Sequence, residues 1–128
     1  MADTEKITVN MNVVDLGKID LLVEQGFYSN RTDLIKSAIR NQLTSHAGIV
    51  DEIVVNKAIL LGVLKYSKKD LEKLLKANEK MDIKLLGMLI LEDDIDEELA
   101  IKTIESIKIL GVFKAKSQLK KILKSKIK

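Results

Sequence analysis

Three five-residue stretches in the second half of the chain are nearly interchangeable. They read LLGVL (60–64), LLGML (85–89) and ILGVF (109–113), so Gly62, Gly87 and Gly111 recur 25 and 24 residues apart. Two large aliphatics precede each glycine and two further apolar residues follow it. A few polar positions come next, and then a short helical stripe: Leu71, Leu74 and Leu75 in the first copy, Leu99, Ile101 and Ile104 in the second, Leu119, Ile122 and Leu123 in the third. Each copy therefore reads as one strand, one turn and one helix. A unit that small cannot bury its own apolar face, so copies must stack, and about three are the fewest that suffice. A helix between consecutive strands sets them parallel. The apolar runs do not alternate cleanly, which predicts strands buried on both faces.

A stack of three strands leaves two open edges, and nothing in the sequence resembles a polar terminal cap. Open edges invite pairing with another chain. Residues 47–128 are thus expected to form a strand-helix repeat module acting in assembly or as an effector domain, with a higher oligomer formed through residues 59–123. Residues 44–58, beginning TSHAGIVDEIVVNK, are ambiguous between a helical continuation and another strand.

The first 46 residues follow a different rule. In KITVNM, Ile7, Val9 and Met11 point one way while Lys6, Thr8 and Asn10 point the other, the period of a half-buried strand. Val14, Leu16, Ile19, Leu22 and Val23 then keep helical spacing over about residues 13–25. Gly26 stands where a helix ends in a left-handed residue. Ser29 or Asn30 can cap a second helix, with Asp33 three residues beyond Asn30 in the manner of a capping box. Leu34, Ile35, Ala38, Ile39 and Leu43 form that helix's apolar stripe.

One strand and two short helices cannot close a core. Pairing of the strand, antiparallel, with its own copy repairs this and predicts a two-fold homodimer: a two-stranded ribbon covered on one face by four helices. Its other face presents Lys6, Thr8 and Asn10 from each chain. Such a ribbon fits the major groove of double-stranded DNA, where those side chains reach base edges. The second helix then aims its N-terminal amides at a backbone phosphate, with Arg31 as a further phosphate contact.

Residues 5–43 resemble the ribbon-helix-helix proteins of prokaryotes, the group of Arc, MetJ and CopG-type repressors. The segments that carry the resemblance are KITVNM, IDLLVEQGFYSNRTDLIKSAI and the spacing between them. The resemblance implies that Lys6, Thr8 and Asn10 read bases and that Ser29, Asn30 and Arg31 lie at phosphate. One departure is Asn12, where the family often has proline before the first helix; asparagine is itself an acceptable cap.

Other chemistry finds little support. The chain has no cysteine and one histidine, His46, which reads as a solvated loop residue; no metal site and no cofactor are expected. The run EDDIDEE (92–98) lacks the glycine and ligand spacing of a calcium loop and reads as a turn with acids at a helix start. FKAKSQLKKILKSKIK (113–128) reads as a basic amphipathic helix, open to extra phosphate contacts or to an acidic protein partner. No phosphate loop, nucleophile elbow or acid–base pair points to an enzyme. With no membrane span and no signal-like segment, the expected location is cytoplasmic, on the nucleoid when DNA is bound. Charge is uneven: residues 1–48 carry five basic and six acidic side chains, the remainder 17 and 13. Bulk charge therefore does not hold the first half on DNA.

The expected fold is α+β: a ribbon-helix-helix domain at 1–46 and a parallel-stranded βα-repeat module at 47–128. The expected function is sequence-specific regulation of transcription, as a repressor. Two rivals are an antitoxin and a DNA-associated scaffold that polymerises through its repeats.

Overall fold

The computed structural model describes residues 4–128 and divides into two compact units, Thr4–Ile53 and, from Val54 onward, the repeats. In the first unit, residues 4–12 enter neither helix nor strand within the single chain. Helix α1 spans Val13–Glu24. Asn12 caps it, its side-chain oxygen accepting from the amides of Val14 (2.8 Å) and Asp15 (3.3 Å). Gly26, at φ +84°, ends it. The amide of Phe27 returns to the carbonyl of Leu22 and that of Gly26 to Val23, a closure that needs a left-handed residue. Helix α2 covers Arg31–Ser45, and α3, Ala47–Asn56, follows after His46. The ambiguity at 44–58 thus resolves to helix.

The second unit is a three-stranded parallel sheet in the order β1-β2-β3: Leu60–Tyr66, Met81–Leu91 and Ile104–Lys114. Helices α4 (Lys68–Lys76) and α5 (Glu97–Thr103) make the crossovers. Helix α6 (Ser117–Ile122) and a 3-10 turn at Lys124–Lys126 close the chain. Each repeat does hold one strand and one helix. The ends of the helices follow from local chemistry: Ser67 and Asp70 form a reciprocal capping box on α4, and Asp96 caps α5.

The repeated glycines are in register, Gly62 beside Gly87 beside Gly111, with φ of 132°, 142° and 132°. A Cβ on Gly87 would collide with the carbonyl oxygen of Gly62, and one on Gly111 with that of Gly87. The repeat therefore preserves a backbone ladder that no other residue type can form.

The core lies on one face of the sheet. Ile83, Leu85, Leu89 and Leu91 of β2 and Ile104 and Ile107 of β3 meet Leu71 of α4, Leu99 and Ala100 of α5, and Leu119 and Leu123 around α6. The expectation of strands buried on both faces is corrected for the edge strands β1 and β3, since all three helices pack on the same side; on the central strand β2, Met88 of the opposite face is buried as well. Before and after each glycine the alternate side chains point outward, and Leu61, Val63 and Leu110 remain exposed. Two further readings change. In the second copy the inward helical residues are Leu99, Ala100 and Thr103, because Ile104 already opens β3 and Ile101 is exposed. The basic helix expected over 113–128 is shorter, since Phe113 and Lys114 complete β3 and Lys126 turns inward to the carbonyls of Ile101 and Ile104. The edge of β3 is also partly closed, by a bridge from Ile127 to Ile107 and the amide of Lys128 on the Ile107 carbonyl.

Candidate nucleic-acid interface

No residue from Thr4 to Ile53 is buried in the single chain. The apolar side chains nevertheless converge. Ile7, Val9 and Met11 line one cleft of about 610 Å³ with Ile19 of α1 and with Leu34, Ile35, Ala38 and Ile39 of α2. Only alternate residues of the N-terminal segment enter it, the pattern of a strand. Lys6, Thr8 and Asn10 stay outside the cleft and are exposed. Among the described residues this segment has no ladder partner within one chain, and the antiparallel ribbon does not form there. The cleft is largely apolar and open in the single chain.

The start of α2 is built from local polar contacts. The side-chain oxygen of Asn30 accepts from the amide of Asp33 at 2.8 Å, and the Asp33 carboxylate accepts from the amide of Ser29 at 3.0 Å. The return bond reaches one residue further back than in a standard capping box. Ser29, Asn30 and Arg31 all lie on the surface. The first-turn amides of α2 that the Asn30 cap leaves free are the natural seat for an anion.

Arg31 has a partner that sequence reading missed. Its Nε and Nη2 donate to the two carboxylate oxygens of Asp20 on α1, each at 2.8 Å. These hydrogen bonds, with the neighbouring charge as a lesser cause, hold the Asp20 carboxyl below the usual carboxylate range. The fork fixes the guanidinium at the helix start and leaves its other N–H donors unengaged by Asp20. A separation of eleven residues across two helices carries no local signal, which is why the pair is invisible in the sequence.

The remaining flagged groups serve the fold. His46 ends α2, its Nδ1 at 2.9 Å from the carbonyl of Gln42, so it occupies a helix junction rather than a loop. In EDDIDEE, Glu92 pairs with Lys65 at 3.2 Å, the Asp94 carboxylate accepts from the amide of Lys68, Asp96 caps α5, and Ile95 is buried. Among the described residues no group of three or more metal-binding side chains assembles, and no helix is long and apolar enough to cross a membrane.

Neither curated proteins nor solved structures gave a match. A family comparison did, over residues 2–120, and so over the repeats as well as the N-terminal unit. With the open apolar cleft, the capped α2 and the exposed polar row in place, that match settles the affiliation: the chain belongs to the ribbon-helix-helix transcriptional regulator family.

Proposed function

We propose that this protein is a dimeric, sequence-specific DNA-binding regulator of transcription, acting as a repressor in the cytoplasm. The observation that carries this reading is the open apolar cleft beneath Ile7, Val9 and Met11 in a unit with no buried residue. Two copies related by a two-fold axis close both clefts and pair the two N-terminal segments as an antiparallel ribbon. Lys6, Thr8 and Asn10 of each copy then enter the major groove and contact base edges. The ends of α2 flank the ribbon, where the backbone at Ser29 and Asn30 meets phosphate and Arg31, oriented by Asp20, adds a charged contact. With the unit near electrical neutrality, affinity rests on these few aligned groups.

The repeat module completes the reading as an assembly or effector domain. The edge of β1 is unpaired among the described residues, and a strand from a second dimer can extend the sheet there.

A charge placed in the cleft tests the dimer. Val9 and Ile39 are 73% and 54% exposed in the single chain. A protein functioning as a monomer would tolerate aspartate at either position, with a change within about 0.5 kcal/mol. In the dimer both positions are covered. Val9→Asp or Ile39→Asp should therefore give monomers by sedimentation and abolish a DNA band shift. Monomeric variants that still shift DNA would overturn the reading.

A further inference from the structure

The close of α3 and the first halves of β2 and β3 meet around a cleft of about 570 Å³. Four lysines from separate places in the chain line it: Lys57, Lys84, Lys108 and Lys128. Asp82 is the one acidic side chain in its lining, and that carboxylate accepts from the Ser106 hydroxyl. None of the four lysines forms an ion pair among the described residues. Each stands on backbone that the fold fixes. Lys84 and Lys108 are partners in the β2–β3 register, so their side chains leave the same face of the sheet from Cα atoms about 5 Å apart. Lys128 is brought beside β3 by the bridge from Ile127 to Ile107 and by its own amide on the Ile107 carbonyl, at 2.8 Å. Lys57 is set by the close of α3. There Ala58 takes a left-handed φ of 52°, and the amides of Ala58 and Ile59 return to the carbonyls of Val55 and Val54.

Held this way, the lysines oppose the fold. Like charges directly opposite on neighbouring strands repel, and an alanine at positive φ is strained. An anion in the cleft removes the repulsion. Its size falls within the range of small-molecule pockets, roughly 300–1,000 Å³. Each ammonium is a compact point charge with three donors, suited to phosphate oxygens. Lys84 and Lys108 are close enough to share one phosphate, which leaves Lys57 and Lys128 for a second. We propose that the cleft binds a compact molecule carrying two or more phosphate groups. No aromatic side chain lines it, so a base or other ring gains no stacking and recognition is of charge. Duplex DNA is a poorer occupant, because its phosphates lie on a convex surface and these lysines line a concave one. The site lies within the repeat unit and does not depend on the DNA-binding reading.

Titration calorimetry of the full-length protein with sodium tripolyphosphate, ATP and inorganic phosphate, at fixed salt, tests the assignment. Tripolyphosphate should bind saturably and roughly ten-fold or more tightly than inorganic phosphate. Lys84→Gln/Lys108→Gln should weaken it roughly ten-fold or more, and Lys57→Gln or Lys128→Gln about three-fold each. Lys69→Gln/Lys73→Gln removes the same charge from α4, outside the cleft, and should leave binding unchanged. ATP should bind no more tightly than tripolyphosphate. All four cleft lysines are exposed, so no variant opens the core. Lys84→Gln/Lys108→Gln should melt at the same temperature or higher, since it relieves a repulsion. Tripolyphosphate should raise the melting temperature of the unaltered protein and not that of this variant. No saturable binding, equal affinity for inorganic phosphate, or an equal loss in the α4 variant would overturn the assignment. A strong preference for ATP would overturn recognition by charge. A DNA band shift weakened by Lys84→Gln/Lys108→Gln, in a protein that does not bind tripolyphosphate, would give the lysines to the DNA backbone instead.

Discussion

At the scale of single residues, the Arg31–Asp20 fork is the most informative contact in the N-terminal unit. It ties the start of α2 to α1 and holds a cation where a phosphate contact is proposed. Arg31→Ala should weaken binding roughly five-fold on every DNA sequence alike and reduce the salt dependence by about one counterion. Asn10→Ala should behave differently, costing about 1–3 kcal/mol at the cognate site with little change elsewhere. Band shifts on specific and random duplexes separate the two. The fork also has a pH signature. Because the Asp20 carboxyl is held below its ordinary value, its contribution is fully present at neutral pH and is lost only as pH falls through that lowered value. Asp20→Asn should remove that acid-side loss while leaving neutral-pH folding little changed, as followed by circular dichroism. The caps at Asn12 and Asn30 were legible in the sequence because each acts on amides two or three residues away. The Asp20 partner was not, because it depends on how two helices cross.

At the scale of elements, the glycine ladder sets what the repeats can tolerate. Gly87 and Gly111 combine a left-handed φ with a neighbouring carbonyl where a Cβ would stand. Gly62 shares the φ, but nothing lies within 4 Å of its Cβ position. Gly87→Ala should therefore destabilise the repeat unit by about 3 kcal/mol, and Gly62→Ala by only about 1–2 kcal/mol from backbone strain. Urea titration of the two variants checks the difference. Equal losses would mean that strain, and not the close approach of strands, dominates. The three glycines were the clearest signal in the chain, and they marked the strands and their register correctly. Helix stripes were read less well where an element is short. Helix α5 has seven residues, too few for periodicity to show that Ile101 is exposed and that the buried Ile104 belongs to β3. Thr103 enters the core with Leu99 and Ala100, its hydroxyl donating to the carbonyl of Leu99 at 2.7 Å, a bond that no hydropathy pattern anticipates.

At the scale of the whole molecule, the two units make opposite demands on partners. The repeats own a complete core on one side of the sheet, with Leu71, Leu89, Ile95, Ile104, Leu119 and Leu123 fully buried. Leu89→Ala should cost about 2–5 kcal/mol there and leave the N-terminal cleft untouched. Calorimetry on that variant should show one transition moving alone. The N-terminal unit has no buried residue in the single chain, and on the proposed dimer its transition should rise with protein concentration. The alternation of Ile7, Val9 and Met11 was readable in advance, and in the structure these three side chains line one cleft with α1 and α2. What the sequence did not disclose is that α4, α5 and α6 all pack on the same side of the sheet. Apolar runs interrupted by glycine look alike whether a second layer belongs to the same chain or to another molecule.

The central claim is that the exposed row of Lys6, Thr8 and Asn10 reads DNA sequence from a dimer. Recovery of genomic fragments at about 150 mM salt, where non-specific phosphate binding is weak, tests it most directly. The account predicts a few strongly enriched fragments sharing a short inverted or tandem repeat. Even recovery across the genome, or no recovery, would contradict it.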